Sequence, residues 1–372
     1  MTEPPILNHL PYDIVLNILT RLPVKSVIRL RCVSKSLYSS ITTPFFISTH
    51  LNHTKNNINH DNACVIHLPF SSRPKIPVCT VALGRSFDTI SEIRIPFDFP
   101  HPRVQIVGSC NGLLCLADLV YGNVIYLWNP SVRKFKKLPD TCLGNLRFVK
   151  LGFAYHSQNN DYKVVRISSP PSSAQEIEVY TLSSGSWRRV EISLGASGIY
   201  YYFKRSLLPT PLVSGALHWI AEENPMDTMI MSFDVNSERF RKLALPHGHI
   251  DAKNLETHLS SFKGKLAFIK SEQPGFLFSI WVMREYGVVD SWSKIFVVPF
   301  ERIAHCTAFT EYGSLLMFSY NNINRFKYED KFVLIDIETL QEKKDLGIQI
   351  SLSAATFMES LVLLDGANVI SY

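Results

Sequence analysis

One spacing constrains this chain more than any other. Gly112, Gly215, Gly264 and Gly313 stand 103, 49 and 49 residues apart. Each follows a polar residue and opens an apolar run, in NGLLCLAD, SGALHWIA, KGKLAFIK and YGSLLMFS. A repeat of about fifty residues accounts for all three intervals if one member, near Asp161-Tyr162-Lys163-Val164-Val165, lacks its glycine.

A second pattern follows each run: an apolar strand, a polar turn, and a restart into a charged strand. It is visible in VIYLWNPSVRKFKKLP, IEVYTLSSGSWRRVEI and IMSFDVNSERFRKLAL. Asn129, Thr181, Asp234 and Asp336 mark the turns, and Phe135, Trp187, Phe240 and Trp292 the restarts. Short strands in a fifty-residue period, each repeat making one four-stranded blade, predict a kelch-like β-propeller. MESLVLLD begins at Met358, roughly one period beyond Gly313, yet Tyr372 comes too soon for another blade. Strands such as CVIHL and CTVAL are therefore expected to complete the last blade, closing a ring of about six between the two ends. A β-sandwich is the alternative, but its non-equivalent strands need no such period.

The first fifty residues follow a helical period instead. Ile14, Val15, Ile18, Leu19 and Leu22 recur at the three- and four-residue spacing of one helix face. Pro11 and Asp13 suit its first turn, one lacking an N–H and the other complementing the dipole. Pro23 stops it and opens a second helix marked by Val24, Val27, Leu30 and Val33. Leu37 and Ile41 begin a third, which Pro44 interrupts before Phe45, Phe46, Ile47 and Leu51. So small a unit cannot bury all these side chains by itself. Part of its apolar surface meets either the rest of the chain, as a cap, or a separate partner. The polar NHTKNNINHDN after Leu51 reads as a linker.

Composition excludes more than it names. The 38 basic and 32 acidic residues leave a thinly spread charge of +6, unlike the concentrated charge of a nucleic-acid binder. The seven cysteines (Cys32, Cys64, Cys79, Cys110, Cys115, Cys142 and Cys306) lack the paired spacings of zinc or redox sites and read as buried free thiols in a reducing compartment. Neither a signal peptide nor a membrane span is expected, so the chain reads as soluble, in cytoplasm, nucleus or both. HExxH, G-x-S-x-G, P-loop and dinucleotide motifs do not occur in the sequence. The pairs His50/His53 and His247/His249 have no nearby cysteine or acidic partners and read as exposed loop residues, so no metal or cofactor is expected. The basic groups Arg133-Lys134, Lys136-Lys137, Arg188-Arg189 and Arg241-Lys242 share one repeat register. They read as outer strands protected by charge from edge pairing rather than as a nucleic-acid surface.

LPYDIVLNILTRLPVKSVIRLRCVSKSLYSSI, Leu10 to Ile41, resembles the F-box. The resemblance implies binding to the Skp-type adaptor of a cullin-RING ubiquitin ligase. Leu10, Pro11, Ile14, Ile18, Leu22 and Pro23 would supply apolar anchors, with Cys32 and Lys35 at the second part of the interface. Leu37 stands where the family commonly has Trp. GSCNGLLCL, YLWNPSVRKFKKLP, LGFAYHSQNNDYKVV, EVYTLSSGSW and VSGALHWIA resemble the F-box-associated interaction domain of plant F-box proteins.

The expected fold is thus an α+β multidomain chain: a three-helix F-box over residues 4–51, a polar linker over 52–63, and an all-β, kelch-like propeller over 64–372. The expected function is a non-catalytic substrate receptor that brings a target protein to the ligase, with no membrane partner. A carbohydrate-acting propeller enzyme and an RNA-binding propeller, each with a helical cap, are the alternatives. Target recognition is expected on irregular insertions, since binding residues concentrate on loops held by a rigid scaffold. SSPPSSAQ from Ser168 and NNINRFKYEDK from Asn321 are two of them. The third, GIYYYFKRSLLPTP, sets Tyr200, Tyr201, Tyr202 and Phe203 beside Lys204 and Arg205, residue types enriched in interface hot spots.

Overall fold

The computed structural model describes residues 10–56, 64–69, 78–83, 89–101, 103–118, 122–144, 149–168, 176–191, 202–203, 208–224, 227–246, 257–272, 277–299, 304–309, 314–324, 327–336, 339, 342–345, 351–363 and 370–371. Among these, four short helices precede strands interrupted by one 3₁₀ turn, Val289–Ser291: α1 (Tyr12–Leu19), α2 (Val24–Leu30), α3 (Lys35–Ile41) and α4 (Pro44–Asn56). Pro11 and Pro23 are the N-caps of α1 and α2. Ser34 caps α3, its hydroxyl accepting from the Leu37 N–H at 3.1 Å. The sequence reading has three helices and a linker from residue 52. Instead Pro44 opens a separate helix, where its missing N–H costs nothing, and that helix continues through Asn56.

The strands follow in chain order as β1 (Cys64–Pro69), β2 (Val78–Leu83) and β3 (Thr89–Arg94); β4 (Val104–Cys110), β5 (Leu113–Asp118), β6 (Ile125–Asn129) and β7 (Lys134–Lys137); and β8 (Val149–His156), β9 (Asp161–Ser168), β10 (Glu176–Thr181) and β11 (Ser186–Val190). Next come β12 (Tyr202–Phe203), β13 (Leu212–Val213), β14 (Ala216–Asn224), β15 (Asp227–Asp234) and β16 (Phe240–Leu243), then β17 (Thr257–Phe262), β18 (Lys265–Glu272), β19 (Leu277–Met283) and β20 (Trp292–Pro299). The last are β21 (Ala304–Phe309), β22 (Ser314–Asn324), β23 (Lys327–Asp336), β24 (Glu342–Asp345), β25 (Ser351–Phe357) and β26 (Ile370–Ser371). Among the described residues they form four sheets of four strands and two of five. Every strand pairing among the described residues is antiparallel, and the whole is an all-β propeller.

Two connections join the ends of the chain. β25 pairs with β1, Ala355 opposite Ile66, so the first sheet takes a strand from near the C-terminus. β26 pairs with β7, Ile370 opposite Phe135. At the MESLVLLD segment, Met358–Leu363 forms no strand and instead lies against the turn between β4 and β5. Asn129 holds it there, its Nδ2 donating to the carbonyls of Ser360 at 3.0 Å and Val362 at 2.9 Å.

Three of the recurring glycines belong to two-residue hairpins, and Gly313 lies outside the described residues. Asn111-Gly112, Ser214-Gly215 and Lys263-Gly264 have φ of 55°/76°, 50°/75° and 47°/73°, the left-handed pair that matches strand twist in a tight hairpin. The β8–β9 hairpin does without glycine because its loop is four residues, Ser157 to Asn160, with Asn160 at φ 50°. The same four-residue form recurs between β6 and β7 and between β10 and β11, ending on Arg133 and Gly185 at φ 54° and 67°, and five residues join β15 to β16, with Glu238 at φ 56°. In two of these, the residue opening the loop accepts from the backbone two residues on. Asn129 Oδ1 takes Ser131 N–H at 2.9 Å, and Asp234 Oδ1 takes Asn236 N–H at 3.1 Å.

Period-two alternation then places a core on each side of a sheet. In β5, Leu114 and Leu116 pack with Ile66, Phe97 and Trp128, whereas Leu113, Cys115 and Ala117 join Phe153, Val164 and Tyr180 of the next sheet. Both faces are covered, so all six residues of β5 are buried. Further clusters fill the spaces between the following sheets, around Leu217 and Phe233, Phe268 and Trp292, and Ile280 and Leu315.

Candidate interaction surfaces

Helix α1 is apolar on two sides. Leu19 is buried, and Val15, Leu16 and Leu22 pack partly buried against one apolar cluster. That cluster also holds Val24, Val27, Ile41, Phe46, Ile47 and Leu51 of the later helices, residues of β5 and β8, and Leu361, Val362 and Leu363. Lys55 at the end of α4 places its ammonium 5.4 Å from the Tyr155 ring centroid on β8. The helices are therefore docked on the propeller. The opposite side of α1 stays in solvent: Leu10, Tyr12, Ile14 and Ile18 are 58%, 44%, 43% and 46% exposed. Periodicity put Ile14, Val15, Ile18, Leu19 and Leu22 on one face; the packing divides them between two.

Of the other residues matched to an adaptor interface, Pro11, Pro23, Cys32 and Lys35 are exposed and Leu22 is half-buried. The Tyr12 hydroxyl joins the start of α1 to α3, 3.1 Å from the Ser36 carbonyl and 2.8 Å from Ser40 Oγ. Tyr12, Val33, Tyr38 and Phe45 add to the apolar area open to solvent. Sequence reasoning passed over Tyr12 and Tyr38, although an aromatic flanking an apolar face is a usual interface signal.

Tyr202 and Phe203 form β12, whose backbone pairs with Glu222 and Ala221 of β14. Tyr200, Tyr201, Lys204 and Arg205 lie outside the described residues, as do His247 and His249. His50 is no loop residue: it is buried in α4, with Nε2 2.9 Å from the Leu22 carbonyl, and burial pulls its pKa down. Cys79 and Cys115 are buried as expected, and burial raises the Cys79 thiol to about 12. Cys32 and Cys142, by contrast, are exposed. Among the described residues no group of three His, Cys, Asp or Glu side chains is placed to hold a metal ion.

Buried charge in the propeller has structural work. Arg166 and Glu178 pair at 3.0 Å with both side chains fully buried. Arg166 also donates to Thr141 Oγ1, Asn123 Oδ1 and the Gly144 carbonyl, and Glu178 accepts from the Leu143 N–H. Lys163 reaches the next sheet through Glu238 and the Val235 carbonyl, both at 2.8 Å, and Glu238 also meets Arg188. Burial opposes ionisation of Glu238, but the two cations outweigh it and hold its pKa down. The basic residues of the repeat register sit where expected on β11 and β16, which are sheet edges; β7 is instead covered by β26.

A helical unit with one face docked on a β-propeller and the other left in solvent defines the class of protein by its architecture. The family matches agree: the F-box domain over residues 7–49 and the F-box associated beta propeller domain over residues 59–333. The chain belongs to the F-box proteins with an F-box associated beta propeller domain. It is 27% identical to the F-box protein CPR1 of Arabidopsis thaliana, over 95% of this chain and 89% of that protein. It is 30% identical to the Arabidopsis thaliana F-box protein At3g07870, over 77% of this chain and 72% of that one. The crystal structure of TolB from Acinetobacter baumannii shares the fold at a TM-score of 0.50 and 9% identity, covering 85% of this chain and 73% of that one.

Proposed function

We propose that this chain is the non-catalytic substrate receptor of a Skp-cullin-F-box ubiquitin ligase, at work in cytoplasm, nucleus or both. Its helices bind the Skp-type adaptor through Leu10, Pro11, Ile14, Ile18, Leu22, Pro23, Cys32 and Lys35, and its propeller, a closed ring of six blades, holds a target protein. Catalysis is then proximity, supplied by the assembly. One observation carries this reading: α1 keeps Leu10, Ile14 and Ile18 in solvent while its other side is already anchored, so that apolar area is left for a second protein. The target surface on this reading includes the stretch from Tyr200 to Arg205, whose aromatic and basic residues suit an interface centre.

The test is co-purification of the full chain with a Skp-type adaptor. Wild type should bind, and Ile14→Asp with Ile18→Asp should abolish binding without lowering the melting temperature, because neither side chain supports the core. Failure of wild type to bind, or unchanged binding by the double variant, refutes the adaptor reading.

A further inference from the structure

The connection from β19 to β20 departs from the repeat. Four or five residues link the corresponding strands in the three sheets described above, but eight, Arg284 to Ser291, link these. The insertion is pinned rather than loose. Ser291 Oγ donates to the carbonyls of Val288 at 2.6 Å and Glu285 at 2.8 Å and accepts from the Glu285 N–H. The Arg284 N–H meets the Ser291 carbonyl at 3.1 Å, and Lys265 Nζ meets the Arg284 carbonyl at 2.9 Å. The Tyr286 hydroxyl lies 2.9 Å from Nε2 of the buried His218, which ties the insertion to the neighbouring sheet.

Part of what this braced segment presents to water is apolar. Every residue from Arg284 to Asp290 is exposed, and Tyr286, Val288 and Val289 are 37%, 40% and 44% accessible. A turn held only for its shape would place polar residues there. Around the tip stand the exposed cations Lys263, Lys265, Arg284 and Lys294 of the same sheet. Asp234 and Arg241 of the neighbouring sheet lie within electrostatic reach of the Tyr286 hydroxyl. The cations Lys263, Lys265, Arg284, Lys294 and Arg241 outnumber the carboxylates Glu285, Asp290 and Asp234, giving an apolar centre with a net basic rim, the layout of a protein contact. Because the segment is already ordered, little entropy is lost when a partner binds.

We infer that the Arg284–Ser291 insertion is a docking site for an acidic peptide segment of a protein partner, with an apolar side chain of that segment resting on Val288 and Val289. Nucleic acid fits the charge but not the contact. The tip offers branched aliphatic groups where a base needs a flat face. This surface is separate from the adaptor face of α1, so it stands or falls independently of adaptor binding.

Selection of a phage library of random dodecapeptides on the full-length chain tests it. Enriched peptides should combine Asp or Glu with a neighbouring apolar residue. As labelled synthetic peptides they should lose at least tenfold in affinity, read by fluorescence anisotropy, against Val288→Asp with Val289→Asp. They should also weaken as salt rises. Lys294→Glu, which leaves the insertion's own hydrogen bonds intact, should weaken the same peptides and serves if the double variant unfolds. Enrichment of peptides without acidic residues, binding that ignores these variants, or no enrichment at all overturns the inference. So does tight binding of labelled poly(U) that the same variants abolish.

Discussion

The three turn glycines permit a controlled experiment. Gly112, Gly215 and Gly264 share one backbone conformation, with φ of 76°, 75° and 73°, but not one environment. A Cβ at Gly215 or Gly264 would meet nothing within 4 Å. At Gly112 it would lie 2.6 Å from the Met358 carbonyl oxygen and 2.6 Å from Ser360 Cβ. Gly215→Ala and Gly264→Ala should therefore cost only the left-handed backbone term, about 1–2 kcal/mol. Gly112→Ala pays the same term and must also displace backbone of the C-terminal segment. Ser360 Oγ accepts from Asn129 Nδ2 at 3.1 Å and from the Val362 N–H at 3.3 Å, and moving it loses these bonds at about 1 kcal/mol each. The total loss expected for Gly112→Ala is roughly 3–4 kcal/mol. Urea unfolding followed by tryptophan fluorescence would compare the three, since Trp128 is buried beside the affected contact. Equal losses at all three positions would refute the packing of residues 358–363 against this turn.

Two further predictions concern buried charge. Arg166→Met should cost about 3–5 kcal/mol by stranding Glu178 in the core, while Arg166→Met with Glu178→Met should cost less than the single change; urea midpoints of both variants check this. His218 and His67 have pKa values held down to about 4 by burial. Unfolding restores their ordinary value of about 6.5, so the unfolded chain binds more protons between those limits. Stability from each is complete above about pH 6.5 and is lost as pH falls toward 4, roughly 2 kcal/mol per histidine by pH 5. His218→Asn should flatten the urea midpoint against pH profile over that window.

The strand repeat was legible because its signals are local. A left-handed glycine pair, or an Asn or Asp accepting from the backbone two residues on, needs only its own neighbours to form. Thus Gly112, Asn129 and Asp234 marked their turns correctly, and Asn160 shows why one glycine was missing. What the pattern could not carry was the packing of one period against another. Ile14 and Leu19 look equivalent at helical spacing, yet only a docked propeller decides which points outward. His50 reads as a loop residue because no cysteine or acidic partner stands near it in sequence, whereas its partner, the Leu22 carbonyl, lies two helices away. MESLVLLD is as apolar as a strand, but its backbone bonds go to Asn129, a partner more than two hundred residues distant. The Arg284–Ser291 insertion was hidden for a different reason: apolar letters in a strand-rich region look like core.

The docking of the helices also governs how a target should be sought. Removing residues 10–56 would appear to free the propeller from the ligase while sparing target binding. Yet Leu361, Val362, Leu363, Leu151 and Phe153 share one apolar cluster with Leu19, Val24, Val27, Phe46 and Leu51. Deletion would uncover that surface, and newly exposed apolar patches promote association with unrelated proteins. Ile14→Asp with Ile18→Asp disables the outward face and leaves the cluster covered. The deleted chain should therefore bind the dye ANS and elute as aggregates in size-exclusion chromatography, while the double variant behaves as wild type in both assays. If the deleted chain proves monomeric and silent to ANS, the helices do not cover the propeller as described. If it aggregates, proteins captured by it report the uncovered cluster, and only those captured by the double variant are candidates for the target.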